Sequence, residues 1–202
     1  MKIKITLTFL LLSLYVNAQY NDWTKATVHL MNNEIFDGHA RLAMLNAKEL
    51  FSSKEKLRFV NFEIKQRTST KFSPEEVEKI VFEVSEKIKG RRIKRKAVFV
   101  PVIKEITKKK KILGFAEIVI DGKVKLFKRT VYGQNKIYEE SLIAKEGEAV
   151  IPFNYIELKS FKNRASEYFK DCPNLVSKLE NKKYRRNDLE EIVTFYNSNC
   201  AK

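Results

Sequence analysis

Glycine, proline, cysteine, histidine and acidic side chains are all scarce in this chain. Its 202 residues include six glycines, four prolines, two cysteines and two histidines, and 25 Asp and Glu stand against 40 Lys and Arg. With so little glycine there is no phosphate-cradling loop, and neither a His-Glu-x-x-His segment nor a Gly-x-Ser-x-Gly elbow occurs. His29 and His39 lie far from Cys172 and Cys200, so the four lack the spacing of a metal-ligand set. Each histidine is expected to be an ordinary sheet-surface or packed residue. The acidic pairs Glu75/Glu76, Glu139/Glu140 and Glu190/Glu191 are sequence neighbours. Neighbouring side chains diverge in a helix or strand, so these are poor acid–base pairs. Asp37 and Asp121 each adjoin a glycine and suit turns. No catalytic, metal-binding or cofactor-binding residue is therefore expected, and no cofactor.

Long apolar runs are also missing, apart from one at the start. Lys2 and Lys4 precede an apolar stretch from Ile5 to Val16, and Val16-Asn17-Ala18 supplies small residues at a cleavage position. This is the pattern of a secretory signal peptide spanning residues 1–18, with the mature chain starting at Gln19. The run is 12 residues long and contains Thr6, Thr8 and Ser13, whereas a membrane span needs roughly 20 apolar residues. No cysteine follows the cleavage position, so lipid attachment there is not expected. Without the signal, 184 residues remain, with 38 basic and 25 acidic side chains and a net charge of +13. In an exported protein, an even cysteine count favours a disulfide, here Cys172 to Cys200.

The mature chain divides into a β-rich domain, residues 19–156, and a helical segment, residues 157–202, packed on it. Ala26, Val28 and Leu30 alternate with polar residues, Asn32-Asn33 offers a turn, and Ile35-Phe36 resumes the strand. Gly38 falls where a strand can bulge or bend. Val60, Phe62 and Ile64 mark a strand over residues 57–64. Ser73-Pro74-Glu75-Glu76 reads as a capping box with proline at the first helical position, predicting a short helix and then a strand through residue 88. Residues 97–102 form a strand in which Pro101 indicates an edge or bulge. Asp121-Gly122 is a strong hairpin signal between Ile112–Ile120 and Lys123–Tyr132. A further pair, Ile137–Ile143 and Ala149–Phe153, flanks Lys145-Glu146-Gly147-Glu148. The expected class is α+β: an antiparallel meander or small barrel followed by short helices.

Helical spacing begins with Leu158, Phe161, Ala165, Tyr168 and Phe169. Asp171-Cys172-Pro173 ends that helix and starts another carrying Leu175, Val176 and Leu179. Asn187 with Glu190 predicts the cap of a third, whose inner face is Leu189, Ile192, Val193 and Tyr196. Helices this short need tertiary support.

Three segments, Gly122–Arg129, Tyr168–Leu175 and Ile192–Cys200, together resemble an uncharacterised family of exported Bacteroidota proteins. Thr27–Leu42 is similar to that family's opening, with Asn32-Asn33-Glu34 in place of its glycine-rich turn. The resemblance covers most of the mature chain. It implies an envelope location and a partly β, partly helical domain, and it brings no activity, cofactor or catalytic residue.

The excess basic charge falls in blocks. Arg91, Arg92, Lys94, Arg95 and Lys96 form one, Lys108, Lys109, Lys110 and Lys111 a second, and Lys182, Lys183, Arg185 and Arg186 a third. The first two flank the Phe99 strand, which puts them some 20 Å apart if that strand has about six residues. A chain this basic is drawn to anionic surfaces. Tyr132, Tyr138 and Tyr184 have no platform spacing for stacking on bases, and export argues against nucleic acid as the physiological partner. Solvated turns are the plain alternative for all three blocks. The leading expectation is a non-enzymatic envelope protein, periplasmic or extracellular, binding a protein partner or an anionic surface. The alternatives are an envelope hydrolase with carboxylates brought together by the fold, and a subunit of an envelope assembly.

Overall fold

The computed structural model describes residues 22–42, 57–61, 68–88, 90–107, 110–133, 136–154 and 160–200. The signal segment 1–18, Gln19, Phe62, Ile64, Leu158 and the domain boundary at 156–157 lie outside them. Ten strands are present: β1 (Thr24–Leu30), β2 (Ile35–Leu42), β3 (Leu57–Val60), β4 (Thr70–Phe72), β5 (Val77–Ile88), β6 (Arg91–Thr107), β7 (Lys110–Ile120), β8 (Val124–Gly133), β9 (Lys136–Lys145) and β10 (Ile151–Pro152). Three helices follow: α1 (Phe161–Tyr168), α2 (Pro173–Glu180) and α3 (Leu189–Asn199), the last entered through a 3-10 turn at Arg186–Asp188.

All ten strands belong to one antiparallel sheet with the order β10-β9-β8-β7-β6-β5-β1-β2-β3-β4. The antiparallel meander is thus borne out, and among the described residues the ladder does not close into the expected small barrel. It rolls all the same. From Phe72 to Val77 the chain reaches at most roughly 17 Å, whereas four flat inter-strand steps would part β4 from β5 by about 19 Å. The Met31 N–H donates to the Glu76 carbonyl at 2.9 Å, joining two turns at one end of this curl. Inside it, Val28, Leu57, Ile80, Phe82, Phe99 and Phe115 share one apolar cluster. Complete burial of such side chains is worth roughly 1.5–3 kcal/mol each. Gly38 sits at a close approach rather than a bulge: a Cβ there would lie 2.7 Å from both the Phe59 ring and the Val60 carbonyl.

The predicted helix after Ser73 is absent. Residues 74–76 form a turn, and Val77–Ile88 is a single 12-residue strand. Half of the capping box survives, because Glu76 Oε2 accepts from the Ser73 N–H at 2.7 Å. The same bond closes a turn as readily as a helix start, and β-branched Val77, Ile80, Val81 and Val84 in a strand paired with β1, β6 or both settle the outcome. The expected six-residue strand is part of the 17-residue β6. Pro101 fits its expected position locally, because the β5 ladder stops at Ile80–Phe99 and leaves β6 open on that side.

The helices bury Phe161, Ala165, Phe169, Leu175, Leu179, Leu189, Ile192, Val193 and Tyr196 against Val124, Leu126 and Ile143 of the sheet and Phe153 just after β10. Ser160 caps α1, its Oγ accepting from the Asn163 N–H. The α3 entry differs from expectation: Asp188, not Asn187 with Glu190, closes it by accepting from the Arg185 N–H at 2.7 Å. Two ties hold α3 in place. Cys172 and Cys200 form the predicted disulfide. The Asn197 amide accepts from the Val124 N–H at 2.9 Å and donates to its carbonyl at 2.8 Å, pairing backbone that the irregular β7–β8 register leaves free. Gly122 makes room for this amide, since a Cβ there would lie 2.5 Å from Asn197 Nδ2.

Replacing both cysteines by serine is expected to cost about 3–4 kcal/mol by loop-closure arithmetic, read as a lowered urea midpoint. Asn197→Ala should cost about 1–3 kcal/mol, since it strands two part-buried backbone groups. Amide exchange at Val124 should accelerate in the same variant.

Candidate functional site

The three basic blocks have different structural fates. The first forms an arm. β5 pairs with β1 only as far as Phe82, and β6 pairs with β7 only from Phe99 onwards. Between these limits, the six pairs from Glu83–Lys96 to Ile88–Arg91 have no other strand beside them among the described residues. A two-stranded ribbon about 20 Å long therefore projects from the sheet, turning through Gly90 at φ +83°. Residues 83–96 contain seven basic and two acidic side chains.

Strand alternation sorts these charges by face. Arg92, Lys94 and Lys96 share one face and are exposed. The acid opposite Lys96 is Glu83, which already pairs with Lys25 at 3.2 Å. On the other face, Arg95 is bound by both Glu86 and Glu117. These bonds raise the guanidinium pKa further, Glu117 contributing most. Arg95 therefore anchors the arm's root, while Arg91, Arg92, Lys94 and Lys96 form no ion pair with a described residue. Ile93 is exposed on the Arg95 face. A cavity of about 460 Å³ at the root is lined by Lys25, Glu83, Val84, Ser85, Lys94, Arg95 and Lys96.

The second block falls at the β6–β7 hairpin. Lys108 and Lys109 lie outside the described residues, while Lys110 and Lys111 open β7 opposite Thr107 and Glu105. Because β6 is far longer than expected, about 36 Å of strand contour separates Lys96 from the end of β6 at Thr107, not 20 Å. They do not form one patch. The third block connects α2 and α3, where Lys182, Arg185 and Arg186 border a groove facing the start of α1. Lys183 is exposed and is not among the residues of that groove.

Sequence reasoning missed a buried charge cluster on the sheet face opposite the helices. Glu140 of β9 is fully buried and directly opposite Arg129 of β8. Arg129 donates to one carboxylate oxygen and Lys104 of β6 to the other. Burial pushes the Glu140 carboxyl up, but Arg129 and Lys104 outweigh it and leave it below its ordinary value. Burial lowers the Lys104 ammonium despite Glu140. Its neighbour Glu139 points the other way and pairs with Lys128 at 3.3 Å, as strand geometry requires. Glu190 reaches the same lysine at 2.8 Å. Only the strand register could have revealed the triad, since its members span residues 104–140.

A smaller polar cluster joins the helices to β9. Asp171 accepts from Lys145 at 3.0 Å and from the Tyr196 hydroxyl at 2.6 Å. Burial, then the Asp171 hydrogen bond, pushes the Tyr196 phenol up to about 12. Burial acts upward on Asp171 too, but the bonds from Tyr196 and Lys145 hold it below its ordinary value. His29 and His39 are half-buried sheet residues on β1 and β2. Among the described residues no group of three His, Cys, Asp or Glu side chains could hold a metal ion, and no helix is long and apolar enough to cross a membrane. Comparison of the chain with known protein families, with curated proteins and with solved structures gives no match.

Glu140→Gln should destabilise the fold by about 3–5 kcal/mol, because two buried or half-buried cations lose their counter-charge. Denaturant unfolding at pH 7 measures this. The lowered Glu140 pKa contributes stability above the ordinary carboxyl value of 4.5, and that contribution disappears as pH falls through the folded-state value. The variant's unfolding free energy should accordingly fall less steeply below pH 4.5 than that of the parent.

Proposed function

We propose that this protein is a non-enzymatic exported component of the cell envelope that docks on an anionic membrane surface through the β5–β6 arm. The observation carrying this reading is the row Arg92, Lys94 and Lys96 on one face of a ribbon with no other strand beside it among the described residues. A solvated turn would not need six backbone pairs to support it. Such a ribbon holds its charges at about 6.6 Å intervals, and each contributes about 1 kcal/mol near an anionic leaflet.

Export rests on the signal pattern at residues 1–18, and the Cys172–Cys200 disulfide supports an oxidising compartment. The resemblance to exported Bacteroidota proteins agrees with that location. Against the hydrolase alternative, the most buried carboxylate, Glu140, is held by two cations and is poorly placed to act as an acid or base.

Vesicles of phosphatidylglycerol and phosphatidylcholine at a 3:7 ratio, in 50 mM salt, test the reading by co-sedimentation. The parent protein should bind these and not pure phosphatidylcholine. The triple variant R92Q/K94Q/K96Q should lose roughly one to two orders of magnitude in apparent affinity. Unchanged binding by that variant, with its thermal melt preserved, would refute the arm as the docking element.

A further inference from the structure

The third basic block lies away from the arm and belongs to a different kind of site. A groove of about 750 Å³ opens between the start of α1 and the chain joining α2 to α3. This is within the usual range of roughly 300–1,000 Å³ for small-molecule sites. Its walls are Ser160, Phe161 and Lys162 from the α1 entry, Leu179 from α2, and Lys182, Tyr184, Arg185, Arg186 and Asn187 from the connection. Four of these carry positive charge and none carries negative charge.

The chain is shaped to gather the cations. Lys182 adopts a left-handed backbone at φ +56°, uncommon for a residue with a side chain, and there the connection turns back over α2. The Lys183 N–H donates to the Lys178 carbonyl at 2.9 Å and fixes that turn. Asp188 is the nearby acid, but it accepts from the Arg185 N–H and does not line the groove. Arg186 lines the groove, and a guanidinium pairs best with an anionic oxygen. The same residue also borders a hollow with Lys128, Glu139 and Glu190.

The apolar parts argue for more than a bare anion. Phe161 and Leu179 are buried at the groove. The Tyr184 ring stands beside Phe195, 6.3 Å between centroids, with the Lys178 ammonium 5.9 Å from its centre. A ring held in this way can lie against the carbon skeleton of a sugar. We propose that this groove binds a small phosphate ester of the sugar-phosphate class, with Arg186, Arg185, Lys182 and Lys162 around the phosphate and Tyr184 against the sugar. This site is independent of the arm and does not rest on membrane docking.

Calorimetric titration of the protein with glucose 6-phosphate, inorganic phosphate and glucose tests the assignment at 50 mM salt. Glucose 6-phosphate should bind saturably at one site and more tightly than inorganic phosphate, and glucose should not bind. Arg186→Gln should weaken glucose 6-phosphate by about tenfold or more, and Lys182→Gln, an exposed position, should weaken it by a smaller factor without altering the melt. The arm variant K94Q/K96Q should bind as the parent does. Equal affinity for phosphate and its ester would overturn the sugar contact. Absence of saturable binding, or loss in the arm variant matching that in Arg186→Gln, would overturn the site. If Arg186→Gln lowers the melt, full affinity in Lys182→Gln combined with Arg185→Gln would overturn it instead.

Discussion

The length of β6 governs the rest of the molecule. At 17 residues it outreaches every neighbour, so it cannot be paired on both sides along its whole course. β5 accompanies its first part and β7 its second, and the two ladders meet at Phe99. An overhang at one end is the geometric result, and the basic arm is that overhang. At the other end β6 leaves an open edge, where the Val150 N–H donates to the Ile103 carbonyl at 2.9 Å. The curled half of the sheet and the helix-covered half are both hung from this one strand.

Charge is divided according to the same geometry. Where β6 enters the sheet its cations find carboxylates: Arg95 at the arm's root with Glu86 and Glu117, Lys104 with Glu140. Desolvation makes the Lys104–Glu140 pair obligatory, because a lone buried charge costs several kcal/mol. Along the overhang Val84 is buried at the root, but Arg91, Arg92, Lys94 and Lys96 are exposed and nothing forces their pairing. These four residues of the projecting element accordingly form no ion pair with a described residue. The helical segment creates a second basic environment by another route. Its three helices bury one apolar cluster, and the connection between α2 and α3 is left to fold back as a polar wall.

Much of the fold was legible in the residues. Alternation marked β1, β8 and β9, Asp121-Gly122 marked the β7–β8 turn, and the inner faces of α2 and α3 were read correctly through Leu175, Leu179, Ile192 and Tyr196. The segment after Ser73 was misread because its capping residues serve a turn equally well, and only the two flanking strands decide between the outcomes. Likewise Arg91–Lys96 looked like a turn because nothing local distinguishes a charged loop from a charged strand. Pairing with Glu83–Ile88 made it a strand.

The sequence by itself determined the local chemistry: the export pattern, the excess of basic charge, the antiparallel β content and the cysteines able to form a staple. These are properties of composition and short-range periodicity, which operate within a few residues. Tertiary structure decided which charges became partners and which stayed free. Glu140 met Arg129 and Lys104, Asn197 met Val124, and the connection 182–187 met the start of α1. Each meeting joins residues far apart in the chain, and strand register and the docking of the helices set those distances.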